Sequence, residues 1–425
     1  MNHSLNNFQK YLFILLIYSS GFSAYLWDVM GKVSRTMLYV TFDVLILALA
    51  ILSFSYLRGR LLTIILFIII GVVMNMTYTE ASTYSSMNGA REIIMILGIL
   101  IFLNKIFAPG NEELVEEYIG IMKTFGFIFL LANVPIAIKQ YLVNGPTDAV
   151  GGSYGYGGSG VLTLTVICLV YFMQQFYGKK FIPSAILFLT MIPLLLNETK
   201  VSFVLIPAMV FVLKVKPKLS TFLMAIAGAV VFFLIFNQFF EATFLDFDNS
   251  AEGIFSSDFL SGYLAGDISE YDDIPRFTKI ILAWHLLTEH TNTLFFGYEF
   301  GIFRGGNTVE MSHFAIENQW MLFGTRPYLF FLMIQGGLFL VGGIFFLVFH
   351  VNKFFRSTNK FQVFLFALFL LILFYNDALR FHAFVTIYFF LVYYSTSPSY
   401  KRLVEGEKEE AAELSTEEIN QLVNS

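Results

Sequence analysis

The sequence is poor in charged residues and in cysteine. Only 13% of its 425 residues are Asp, Glu, Lys or Arg, about half the share found in an average soluble domain. A surface that faces water along the whole chain is therefore excluded. The single cysteine, Cys168, lies within an apolar run, which excludes disulfide frameworks and clusters of thiolate metal ligands.

Apolar residues make up most of the remainder. Hydrophobic residues account for 57% of the chain, and Phe alone occurs 51 times, a composition typical of a protein bathed in lipid. Runs of roughly 17–25 apolar residues can cross a bilayer as helices. The runs fall near residues 11–27, 36–57, 61–76, 91–108, 119–139, 160–177, 181–197, 199–214, 219–240, 327–349, 361–376 and 380–396. These runs predict an all-α polytopic membrane protein with about twelve transmembrane helices.

Lysine and arginine are unevenly distributed between the connections of these runs. Most lie in alternate short connections, on the same side as both chain ends. The positive-inside rule makes that side cytoplasmic, so the long segment 241–326 is expected outside. The predicted organisation is nine spans in 1–240, a large outer loop in 241–326, the last three spans in 327–400 and an acidic cytoplasmic tail in 401–425.

A minority of the cations falls on the expected outer side, against the usual bias. Arg91, Lys200 and Arg380 are placed at or just inside the outer ends of spans, where charge is costly and often marks function. Arg35 and Lys139 are interpreted instead as side chains that reach to the outer headgroups. Arg91, Asp43 and the pair of Asp377 with Arg380 are expected to support the site from within the bundle, and Arg91 and Arg380 are predicted to bind the substrate. For Asp43, a purely structural buried pair is an equal alternative.

The second half of the outer loop gathers reactive side chains. A helix is predicted over 276–290, after Pro275, with Ile280, Ala283, Trp284 and Leu287 on one face and the cations Arg276 and Lys279 on a neighbouring stripe. The glycines that follow predict an irregular link in which Arg304 can approach a ligand closely.

His313 and Glu317 are expected on the next helix, four residues apart and therefore adjacent. Glu317 could hold one imidazole nitrogen while the other acts as a base, and Trp320 could stack against a sugar ring. The alternative is an ordinary surface pair. Arg326 closes the loop. Because guanidinium groups bind phosphate oxygens in a bidentate manner, these arginines suggest a leaving phosphate stabilised by protein cations, without a metal or other cofactor.

With these residues in view, the chain resembles the O-antigen polymerase and ligase superfamily, which includes the Wzy-type polysaccharide polymerases. Residues 151–166 (GGSYGYGGSGVLTLTV) resemble the Gly-rich outer segment of the family. Residues 195–208 (LLNETKVSFVLIPA) resemble its short outer turn, with Lys200 in place of an arginine. Residues 276–301 resemble its loop helix. His313 resembles the loop histidine, and residues 329–347 (LFFLMIQGGLFLVGGIFFL) resemble the Gly-Gly helix.

The resemblance implies a GT-C-like glycosyltransferase in a bacterial inner membrane, with a periplasmic loop. It would polymerise repeat units of O-antigen or a related surface polysaccharide, using an oligosaccharide linked to undecaprenyl pyrophosphate. Lys200 and Arg276 would bind the pyrophosphate, and His313 would deprotonate or orient the acceptor hydroxyl. A flippase and a chain-length regulator of the same pathway are implied partners, and nucleic acid is not. A ligase of the same superfamily and a lipid-linked oligosaccharide flippase are the alternatives.

Overall fold

The computed structural model describes residues 2–30, 34–78, 83–145, 150–177, 186–187, 189–197, 276–302, 313–318, 321, 326–352 and 360–402. All regular structure in these ranges is helical. The helices are α1 (Asn2–Gly21), α2 (Ser23–Met30), α3 (Arg35–Ser53), α4 (Arg60–Tyr78), α5 (Thr83–Ile106), α6 (Glu112–Asn144), α7 (Ser159–Tyr177), α8 (Ile192–Leu196), α9 (Arg276–Thr288), α10 (Thr291–Phe296), α11 (His313–Glu317), α12 (Tyr328–Asn352), α13 (Lys360–Tyr375) and α14 (His382–Ser395).

The described helices support an all-α membrane protein. Five segments are long and apolar enough to cross a bilayer: Thr36–Tyr56, Arg60–Tyr78, Glu112–Asn144, Ser159–Tyr177 and Tyr328–Asn352. The apolar helices Phe361–Tyr375 and His382–Ser395 are shorter. Of the predicted spans, 199–214 and 219–240 lie outside the described residues.

Two predicted spans differ from the structure. The run 11–27 is not one helix, because the chain turns at Phe22 between α1 and α2. The run 181–197 is not a continuous helix either, since its described part turns at Thr190 and Met191 before the short α8. Pro193 lies in the first turn of α8. Proline lacks an N–H and clashes with the preceding turn, so it is well tolerated in the first turn of a helix and costs stability in the interior.

Polar contacts define two ends of the bundle. At the first, which we call the Arg402 end, Arg402 contacts Glu112 at 3.0 Å and Lys10 contacts Glu117 at 3.3 Å. The other end is marked by Arg380, which directly precedes α14, and by Arg91 in the first half of α5, each with its partners, and we call this the Arg380 end. Between the two ends the described core is mostly apolar.

The Gly-rich segment 150–158 lies at the Arg380 end, between α6 and α7, and is buried except for the exposed Tyr156 and Gly157. Its backbone polar groups are satisfied by α6: Ser153 N donates to Asn133 Oδ1 at 2.7 Å, and Gly152 exchanges two hydrogen bonds with the Gln140 amide. Irregular backbone within a membrane protein is tolerated where protein groups satisfy it in this way. A side chain at Gly151 would collide with the carbonyl of Gly155, which explains the glycines.

The segment 276–302 docks at the same end, against a break in α12. Gly337 has a φ of 58°, which interrupts the helical hydrogen bonds there. The carbonyls released before it are used by the docked segment. Ile334 O accepts from Tyr298 N at 2.8 Å, and Gln335 O accepts from Asn75 Nδ2 at 2.9 Å. Asn75 Nδ2 also donates to Phe296 O, so this buried amide of α4 ties the segment to α12.

Candidate active site

A short non-helical connection between α13 and α14 forms the centre of the Arg380 end. It carries Asn376, Asp377 and Arg380 within five residues. The carbonyl of Asn376 accepts from Tyr328 N at 3.0 Å, and its Oδ1 accepts from Ala378 N at 3.1 Å. The connection is therefore fixed to the start of α12, and its charged side chains can be held in defined positions inside the bundle.

Arg380 is held between two carboxylates. Its Nε and Nη2 donate to the Glu92 carboxylate at 2.9–3.1 Å, and its Nη1 donates to Asp377 Oδ2 at 2.8 Å. The guanidinium also lies 4.4 Å from the centre of the Phe331 ring. Two carboxylates and one guanidinium leave this group with a net negative charge.

Asp43 of α3 joins a second group next to the first. Its Oδ2 accepts from Nε and Nη2 of Arg91, each at 2.5 Å, and its Oδ1 lies 2.9 Å from Nε2 of His382. The imidazole packs between the rings of Tyr39 and Phe42, at centroid distances of 5.5 and 5.2 Å. Asp43 thus takes the paired arrangement that the sequence left open, and each of its oxygens has a charged or titratable partner.

Arg276 begins α9, as predicted, and its guanidinium carbon lies 4.7 Å from the centre of the Tyr375 ring at the end of α13. The predicted apolar face of this helix is wrong in one respect. Ala283 and Leu287 are buried, but Trp284 is exposed and Lys279 is buried in its place. Positions 279, 283 and 287 are spaced by four residues and so lie on one face of the helix, and the helix packs against α12 and α13.

The structure describes some of the other predicted site residues fully, some in part and some not at all. Arg326 is partly buried directly before Pro327 and the start of α12. His313 and Glu317 are the first and last residues of α11, as their spacing predicted, and Glu317 is exposed. The side chain of His313 lies outside the described part of the structure, as do Lys200, Arg304 and Trp320 entirely.

The structure therefore brings Arg91, Arg276, Arg326 and Arg380 to one end of the bundle. It adds two residues that the sequence analysis missed, Glu92 and His382, each buried against one of these groups. The sequence contains a signal that could have identified Glu92, because a carboxylate directly after Arg91 at the start of an apolar run needs a cation. The only signal for His382 is its position at the start of the last span.

No protein-family model matches the chain, and neither does any curated protein or solved structure. Three properties of the Arg380 end can be read from its own residues. It presents arginines on several helices, it fixes two of them with carboxylates, and it is covered by the docked segment 276–302. Such a site can bind a polyanionic group while a nearby carboxylate handles a proton.

Proposed function

We propose that this protein is a membrane glycosyltransferase that polymerises lipid-linked oligosaccharide repeat units. The growing chain, carried on undecaprenyl pyrophosphate, is transferred to a sugar hydroxyl of the next lipid-linked unit. The observation that supports this best is the meeting of Arg276 with the end of α13, where its guanidinium lies over Tyr375. A cation from the outer loop thereby joins the partly buried charges of Arg91 and Arg380 at one end of the bundle.

Pyrophosphate departure is the step that this arrangement serves. As the anomeric carbon develops positive charge, negative charge builds on the departing phosphate oxygens. Guanidinium groups that are already fixed can stabilise that charge without reorganising. Arg91 and Arg380 are each engaged by carboxylates, so Arg276 is assigned the direct contact with pyrophosphate, together with Lys200 and Arg304. Arg326 and Trp320 are assigned to the sugar or phosphate portion, and His313 with Glu317 to the acceptor.

A ligase, which transfers finished polymer to another acceptor, would use the same chemistry and is the nearest alternative. A flippase is disfavoured by the interior of the described bundle. Between its two polar ends lie Phe13, Phe102 and Phe390, all buried, with ring centroids 5.5 and 6.5 Å from that of Phe13. A carrier for a sugar headgroup needs a polar path, and this aromatic layer offers none.

Glycan analysis of a deletion strain tests the proposal. Loss of a polymerase leaves surface lipid with a single repeat unit and no ladder of longer chains. Normal-length polymer stranded on the lipid carrier identifies a ligase instead, and repeat units trapped on the cytoplasmic leaflet identify a flippase. Complementation with wild-type protein and with Lys200→Ala or His313→Ala, at matched membrane levels, then tests the assigned residues. Full ladders from both variants would contradict these assignments.

A further inference from the structure

Asp377 has an unusual position among the acidic residues of the Arg380 end. Its Oδ2 accepts one hydrogen bond, from Nη1 of Arg380 at 2.8 Å. Its Oδ1 has no hydrogen-bond partner among the residues that the structure describes. The side chain is 27% exposed. One carboxylate oxygen is therefore held by Arg380, while the other is left open by the residues that the structure describes.

The two neighbouring carboxylates are committed to other groups. Glu92 is 3% exposed and faces Nε and Nη2 of Arg380 with both oxygens. Asp43 has Arg91 on one oxygen and His382 on the other. Hydrogen bonds that favour the charged form of a carboxylate make it a poorer proton acceptor. Neither residue is suited to take a proton from a substrate.

The charge balance also distinguishes Asp377. The bidentate contact with Glu92 already matches the single positive charge of Arg380, because a guanidinium carries one charge and a carboxylate neutralises it. The negative charge of Asp377 is therefore left without a matching positive charge within this group of three side chains. A general base needs a free acceptor atom within hydrogen-bond reach of the proton that it removes, and Asp377 Oδ1 is the acceptor that this group offers.

Asp377 is also near the cation assigned to the leaving group. Arg276 lies over Tyr375, two residues before Asp377 in the chain. In a direct displacement the acceptor hydroxyl and the departing pyrophosphate lie on opposite sides of the anomeric carbon. The end of α13 thus holds Arg276 over Tyr375, and the connection that follows it carries the Asp377 carboxylate, at the same end of the bundle.

We propose that Asp377 is the catalytic base, an inference that rests on the glycosyl transfer proposed above. The acceptor hydroxyl donates its proton to Asp377 Oδ1 as its oxygen forms a bond to the anomeric carbon. The bond from that carbon to the pyrophosphate oxygen breaks, and the electron pair leaves with the pyrophosphate. Arg380 keeps Asp377 oriented through Oδ2 throughout. In this assignment His313 orients the acceptor and does not take its proton.

Purified protein in detergent, supplied with its own lipid-linked repeat unit extracted from the deletion strain, allows a direct test. Asp377→Asn keeps the size and the hydrogen bond from Arg380 but cannot accept the proton. We expect kcat to fall by on the order of 10²–10⁴-fold, with KM for the lipid-linked unit changed by less than about threefold, since binding is a separate contribution. Asp377→Glu, which retains a carboxylate, should recover part of the lost kcat.

Glu92→Gln is the matched control, because it alters the other carboxylate on the same guanidinium. Glu92→Gln should lower the melting temperature more than Asp377→Asn does, since Glu92 is buried and positions Arg380. It should leave kcat within about tenfold of the wild-type value. Near-normal kcat in Asp377→Asn, beside an active wild type, overturns this inference alone. Equal losses in both variants with a raised KM make Asp377 structural and also overturn it. If the wild-type protein transfers no sugar, both the proposed function and the assignment of Asp377 as the base are overturned.

Discussion

Nε2 of His382, on the last described helix, lies 2.9 Å from Oδ1 of Asp43 on α3. The two residues are 339 positions apart in the chain, yet this contact and the one from Asp43 to Arg91 join three helices within one group. Because Asp43 bridges a guanidinium and an imidazole, removing it affects both. The Arg380 end is therefore a connected network, and its energetics should be cooperative.

Substitutions at Asp43 and His382 should not be additive. Asp43→Asn and His382→Gln each break the same contact. The double variant should therefore lose less stability than the sum of the losses of the two single variants, with a coupling free energy of about 0.5–3 kcal/mol. Melting temperatures of the purified variants measure this. Asp43→Asn combined with His285→Gln, an exposed histidine of α9, is the control and should be additive. Additive losses in the first pair would mean that the contact contributes nothing.

Arg380 and Glu92 should show compensation. Arg380→Gln leaves Glu92 buried without its bidentate partner, and breaking a buried ion pair from one side costs about 3–5 kcal/mol. Adding Glu92→Gln removes the uncompensated charge, so the double variant should fold in higher yield than Arg380→Gln alone. The fraction recovered as a single species after detergent extraction is the measurement. A double variant less stable than both single variants would show that charge compensation is not the cause.

Arg276 should matter for turnover rather than for folding. If Arg276 binds the leaving group as proposed, Arg276→Ala removes one charge-assisted contact, which is equivalent to about 1.5–3 kcal/mol or about one to two orders of magnitude in rate. Arg276→Lys should lose less, because it keeps the charge but not the bidentate geometry. Lys139→Ala, at an exposed lysine of α6, removes one cation without touching the site. Wild-type chain lengths from Arg276→Ala would reject the leaving-group assignment.

Gly337 and Gly342 lie on the same helix but should respond oppositely to alanine. A Cβ at Gly337 would approach the Gly297 nitrogen to 2.6 Å, and its φ of 58° disfavours any side chain. Gly337→Ala should therefore displace the segment 276–302 and expose it to protease. A Cβ at Gly342 meets nothing within 4 Å, so Gly342→Ala should be neutral or slightly stabilising. Equal protease resistance in the two variants would contradict this account of the docking.

Local features of the chain could be predicted from the sequence, and long-range pairings could not. The start of α9 at Arg276 followed from Pro275 and the apolar spacing, and alternation of the spans placed Asp43, Arg91 and Arg380 at one end. The pairing of Arg380 with Glu92 could not follow, since 288 residues separate them. The same limit applies to the buried face of α9, where Trp284 and Lys279 exchange their expected environments because the partner is the broken helix α12.

The pairing of Glu92 with Arg380 also has a consequence for how the protein is made. Glu92 enters the membrane early in synthesis, and its counter-ion is translated 288 residues later. At roughly 5–20 residues per second, the carboxylate waits on the order of tens of seconds for its partner. During that interval it is held by water, by lipid headgroups or by an insertion factor, because an unpaired charge at membrane depth is costly. A chain that stops before the last two helices would retain this exposed charge, which gives membrane quality control a simple mark of an unfinished protein.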